Sequence, residues 1–178
     1  MRCVVVAVLF VVACTNGQQP TSCPPNEAFP HNGFYYQFFD CPQPWTKAEA
    51  TCRSNMVVNG RRVSGGHLVS ILNHDEGEWL GFQIAMRYGA KLGVWIGARH
   101  ASSQGGLCPL PSSWTDGNRM SHTNFTLGEP NCAWPGEDCI HLVNYERWAD
   151  AECEVPMRFI CKIKLPRGPA FDLDVQGR

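Results

Sequence analysis

Positive charge is scarce: fifteen Lys and Arg stand against sixteen Asp and Glu in 178 residues, a formal net charge of -1. A nucleic-acid binder displaces phosphate counterions with a marked basic excess, so that class is excluded. Long apolar runs are missing too. The run from Cys3 to Cys14 is too short to cross a bilayer core of ~30 Å as a helix, and no later uncharged stretch is longer, which excludes a membrane span. No C-x-x-C pair occurs, and His31, His67, His74, His100, His122 and His141 stand singly, which argues against structural zinc. No internal repeat is present, and no heptad pattern flanks the domain, so neither a solenoid nor coiled-coil multivalency is expected.

Cysteine, glycine and proline are plentiful instead, at 10, 17 and 13 residues. With 44% hydrophobic and 17% charged residues the chain can bury a core, and its length suits one domain with flanking segments. Arg2, the apolar run and the small-residue exit Thr15-Asn16-Gly17 read as a secretory signal peptide over residues 1–17. Val11-Val12-Ala13-Cys14 also fits a bacterial lipoprotein cleavage box, which would leave Cys14 as a lipidated terminus. Beyond residue 17 stand Cys23, Cys41, Cys52, Cys108, Cys132, Cys139, Cys153 and Cys161. That even set, in an exported chain, predicts four disulfides, each stabilising by about 2–4 kcal/mol.

A linker, 18–22, precedes a domain over 23–164, and a flexible tail follows over 165–178. The aromatic stretch 34–39 suits a strand ending at Pro42. Trp45, Ala48 and Cys52, spaced by three and four, predict a short helix over 45–52. Residues 67–72 read as a strand. Asn73 followed by Glu76 signals a helix start with reciprocal capping, and Trp79 to Tyr88 supply that helix with an apolar face. Short strands are expected at 94–98, 113–116, 139–143, 147–150 and 158–163.

Taken in order, Trp45…Cys52, Gly66-His67-Leu68-Val69-Ser70-Ile71, Val94-Trp95-Ile96-Gly97, Trp114-Thr115-Asp116-Gly117, Glu129-Pro130-Asn131, Gly136-Glu137-Asp138-Cys139, Trp148-Ala149-Asp150 and Phe159-Ile160-Cys161 resemble the C-type lectin-like domain. The insertion before Gly65 resembles those of secreted invertebrate, perlucin-like members. The resemblance implies an α+β fold: two short helices packed on small antiparallel sheets, with a long calcium- and sugar-binding loop, stapled by disulfides. It implies the pairs Cys52–Cys161 and Cys139–Cys153, and leaves Cys23 with Cys41 and Cys108 with Cys132.

The same resemblance assigns Glu129, Asn131, Glu137 and Asp150 to a calcium ion, with Asp150 also offering its backbone carbonyl and the Glu129-Pro130 peptide cis. Calcium prefers six to eight oxygens, and these residues are oxygen donors. Two vicinal sugar hydroxyls then complete the sphere while bonding to the same carboxylates and amides. The order Glu-Pro-Asn goes, in this family, with mannose, glucose, N-acetylglucosamine or fucose. Ala149 stands where the family has Asn, removing one ligand and one amide donor, so weakened binding is expected. A water, Asn144 or Glu146 could fill that place. The auxiliary calcium site of the family is expected to be absent, because Arg99 and His100 replace its acids. Trp134 could stack on a sugar face or pack over the Cys108 bridge. Asn124-Phe125-Thr126 is an N-glycosylation sequon.

These readings imply a secreted, extracellular, calcium-dependent carbohydrate-binding protein whose partners are mannose- or GlcNAc-type glycans. The alternative is an extracellular structural, biomineral-matrix or protein-interaction module with weak or no sugar binding, and with mineral or matrix proteins as partners. No enzyme is expected. Glu129 and Glu137 could be read as a glycosidase pair, but calcium ligation would keep both ionised, whereas a general acid needs a raised pKa.

Overall fold

The computed structural model describes residues 2–4, 13–15, 23–24, 26–89, 93–100 and 108–164. The expected linker and tail lie outside these described residues. Of the expected leader, only two short strands are described, β1 (Arg2–Val4) and β2 (Ala13–Thr15), paired antiparallel.

Two Asn-Gly pairs set the next hairpins. β3 (Phe29–His31) turns into β4 (Phe34–Gln43) through Asn32 and Gly33, at φ 47° and 80°. β5 (Met56–Val58) turns into β6 (Arg61–Val63) through Asn59 and Gly60, at φ 49° and 71°. Left-handed backbone at both central residues matches the twist of paired strands, and Asn-Gly adopts it at little steric cost. The second hairpin is the insertion that precedes Gly65.

Between them α1 (Trp45–Asn55) buries Trp45, Ala48, Thr51 and Cys52, so the helix runs three residues past the expected end. β7 (His67–Leu68) is shorter than expected. Val69 donates to the Ile160 carbonyl and accepts from Gly97, so the chain leaves one strand for another and the ladder stops. α2 (His74–Tyr88) follows. Asn73 Oδ1 accepts from the Glu76 amide, as its sequence indicates, but the reciprocal bond is different: Glu76 Oε2 accepts from Leu72 N rather than from Asn73.

The main sheet has the order β10 (Arg147–Ala151), β9 (Cys139–Val143), β8 (Val94–Arg99), β11 (Met157–Ile163), β4, β3, with β7 also on β11. Pairing is antiparallel except for β8 with β11, which is parallel. Residues 113–116 form no strand; Trp114 and Ser113 make only isolated bridges, to Ala98 and Arg119. β8 is apolar from Val94 to Ala98 and β11 is buried from Phe159 to Ile163, with Lys162 the one charged residue in that stretch, because both faces of these central strands are covered. Val94, Ile96 and Ile160 join a core with Leu80, Ile84 and Trp148 under α2, while Trp95, Phe159 and Cys161 join Trp45, Ala48 and Met56 under α1.

Four disulfides close the domain: Cys23–Cys41, Cys52–Cys161, Cys108–Cys132 and Cys139–Cys153. No helix among the described residues is long and apolar enough to cross a membrane.

Candidate functional site

The outer edge of β10 builds the site. Trp148 bonds through its backbone to Asn124 O and Thr126 N, which lays the long loop along that edge. Strand alternation then buries Trp148 and Asp150 on one face and leaves Ala149 half-buried on the other. Asp150, its side chain fully enclosed, gathers the loop: Oδ1 accepts from Asn131 N at 3.1 Å and Oδ2 from Cys132 N at 2.8 Å. The Glu129-Pro130 peptide is cis. Asn131 Nδ2 donates to Glu129 Oε1 at 2.9 Å, while Asn131 Oδ1 accepts from Ala133 N at 2.7 Å.

Glu129, Asn131 and Asp150 therefore form one oxygen-rich cluster. Glu129 Oε2 is buried without a hydrogen bond. Its neighbour is the Asp150 carboxyl, and two carboxylates are both acceptors, so a proton or a cation must lie between them. Burial first, then the shared bond and the charge of Asp150, push the Glu129 carboxyl up to about 7. Burial opposes ionisation of Asp150 as well, but bonds from Glu129 and from the Cys132 and Asn131 amides outweigh it and hold that carboxyl below its ordinary range. The donor set is hard, oxygen-only and in part anionic, which fits calcium rather than a soft metal.

Glu137 stands apart from this cluster in hydrogen bonding. Its Oε2 caps the neighbouring turn by accepting from Trp134 N at 2.9 Å, and among the described residues no hydrogen bond links it to Glu129, Asn131 or Asp150. Trp134 is 67% exposed. Glu146 turns away toward α2, its Oε2 lying 3.7 Å from His74 Nδ1, and is not beside Ala149. The Asn124 side chain is half-buried, donating to Glu146 O and accepting from Arg147.

Beneath the cluster lies a residue whose part in it is not legible in the sequence. His100 is fully enclosed; its Nε2 is 3.7 Å from Asp150 Oδ2 and 3.6 Å from the sulfurs of both Cys108 and Cys132. Arg99 and His100 also face Asp138, at 3.6 and 3.9 Å. With both sulfurs oxidised, the group His100, Cys108, Cys132 and Asp150 offers no thiolate to a metal.

The Lectin C-type domain family matches residues 42–163. The C-type lectin lectoxin-Lio1 of Erythrolamprus poecilogyrus is 32% identical over 168 residues, 91% of this chain and 93% of its own. A C-type lectin mannose-binding isoform of Notechis scutatus scutatus is 29% identical over 159 residues, 88% of this chain and 93% of its own. Human lithostathine superimposes with a TM-score of 0.63 at 27% identity, covering 81% of this chain and 92% of its own. The chain spanning this disulfide-braced cluster belongs to the C-type lectin domain family.

Proposed function

We propose that the protein is an extracellular, calcium-dependent carbohydrate-binding lectin with a mannose-type preference. The observation that carries this reading is the buried Glu129 oxygen beside Asp150 with no hydrogen bond of its own, alongside the Asn131 carboxamide. A cation there relieves two acceptors at once. Glu129, Asn131, Glu137 and Asp150 would hold the calcium ion. Calcium, when bound, supplies open coordination positions to vicinal sugar hydroxyls.

The chain's own groups do the selecting. Glu129 and Glu137 accept hydroxyl protons and the Asn131 carboxamide donates, so recognition is polar and shallow. The exposed Trp134 indole offers an apolar platform to a sugar face. Ala149 brings no oxygen, and a missing polar contact of this kind costs on the order of 1–3 kcal/mol, which predicts weak single-site affinity. Family membership and the Notechis relative named as mannose-binding support the sugar class. Four disulfides suit an oxidising, extracellular setting.

Passage over mannan-agarose in calcium tests the proposal. Retention that EDTA abolishes is expected. Retention indifferent to EDTA, or none at any calcium level, overturns it in favour of an interaction or matrix module.

A further inference from the structure

A second cluster lies on α2, on side chains the sugar site does not use. His74 opens the helix and Glu78 stands one turn on, with His74 Nε2 3.4 Å from Glu78 Oε1. The connection from β9 to β10 brings a third group: Glu146 Oε2 is 3.7 Å from His74 Nδ1. Taking one ligand atom from each, all three lie within 4.8 Å of one another. Three separate positions, 74, 78 and 146, thus converge although each histidine stands alone in the sequence.

Glycines on α2 allow the approach. At Gly81 an added Cβ would sit 3.1 Å from Tyr145 C and 3.2 Å from Glu146 N, so the turn rests directly on the helix. At Gly77 the nearest atoms of the turn include Glu146 Oε2 itself, 3.9 Å from such a Cβ. Asn144 and Tyr145 hold left-handed φ of 47° and 71° to make the connection. For Tyr145, a non-glycine residue, that conformation is strained.

Two exposed His–Glu pairs would by themselves be ordinary surface electrostatics of little consequence. What sets this cluster apart is polar burial without hydrogen bonds, Glu146 Oε2 having only its 3.7 Å pairing to His74. Glu146 Oε2 and His122 Nε2 are both shielded from solvent, and neither has a hydrogen bond. The His122 ring lies 6.3 Å from that of His74 and is held edge-on against Trp148. Such atoms are usually satisfied, and an anion beside an imidazole nitrogen is satisfied by a transition-metal cation.

We propose that His74, Glu78 and Glu146 form a zinc-type site separate from the sugar site, with the His122 ring beside His74 as the candidate fourth ligand. Two imidazoles and two carboxylates are the ligands zinc takes; calcium wants more oxygens than the cluster owns. Zinc bonds of ~2.0–2.1 Å in a tetrahedron set donor atoms roughly 3.3–3.5 Å apart. The side chains of His74 and Glu78 are 59% and 63% exposed and are free to turn toward that spacing. The ion would tie the start of α2 to the β9–β10 turn and to the loop carrying His122.

Calorimetric titration of zinc into the full chain, freed of metal and then saturated with calcium, tests this. One zinc per chain is expected. His74→Ala, Glu146→Gln and His122→Asn should each weaken binding by about tenfold or more, since even outer partners of a metal are worth that much. Cobalt should give a visible ligand-field band that His74→Ala removes. His74→Ala removes an exposed side chain, so it should fold and keep its EDTA-sensitive mannan retention. Absence of zinc binding, or equal zinc affinity in the three variants and the parent chain, overturns the proposal.

Discussion

Glu129 carries the sharpest residue-level consequence. Its carboxyl rises from an ordinary 4.5 to about 7 in the metal-free domain because burial and the facing Asp150 favour the neutral form. Between those values the folded, metal-free state holds a proton that the unfolded chain has released. That contribution is present below pH 4.5 and is lost as pH rises through 7. Asp150 is shifted the other way and stays ionised throughout, so it does not alter the sign in this window. Calcium requires the ionised Glu129, and stabilisation by binding grows as the competing proton leaves. The rise in melting temperature on adding calcium should therefore be larger at pH 8 than at pH 5, read by scanning fluorimetry. An equal rise at both would remove Glu129 from the ligand set.

At the scale of elements, the polar contact joining β4, α2 and β11 is built from buried groups. Lys162 Nζ donates to Glu76 Oε1 at 2.5 Å and to Ser70 O at 2.9 Å, and Tyr36 OH donates to the same Glu76 oxygen at 2.5 Å. Burial, then the bond to Glu76, pushes the Tyr36 phenol above its usual range. Removing one partner of a buried pair leaves an uncompensated charge, so Lys162→Met should destabilise the fold by about 3–5 kcal/mol. Urea denaturation checks this, and a loss under ~1 kcal/mol would show the pair to be well solvated. The sequence reveals that α2 starts at Asn73, because capping is local, but not that Glu76 reaches across to β4 and β11. Both Asn-Gly hairpins carry a local signal, φ-permissive residues between β-formers, that the reading of strands at 34–39 and 67–72 passed over. Residues 113–116 misled for the opposite reason: β-forming side chains there bury Trp114 without a partner strand to extend the ladder.

For the whole molecule, two of the crosslinks divide the labour between stability and the site. Cys52–Cys161 spans 109 residues and joins α1 to β11, while Cys108–Cys132 spans 24 and lies over His100 and Asp150. Loop-closure entropy gives about 5 kcal/mol for the longer and about 3.5 kcal/mol for the shorter. The cluster was legible only through the family pattern, since Glu129 and Asp150 are brought together by β10 capturing a loop, and periodicity carries no such information. The approach of Glu146 to His74 was not legible at all, because it depends on Gly77 and Gly81 admitting a distant turn. Two variants separate the roles of the two bridges. Cys52→Ser/Cys161→Ser should lower the urea midpoint more than Cys108→Ser/Cys132→Ser. The second should instead weaken calcium binding by roughly tenfold, because the free loop must be ordered around Asp150 on each binding event. Calorimetry beside urea melts reads both quantities. Unchanged calcium affinity in the Cys108→Ser/Cys132→Ser chain would mean that the two amides on Asp150 order the loop without the bridge.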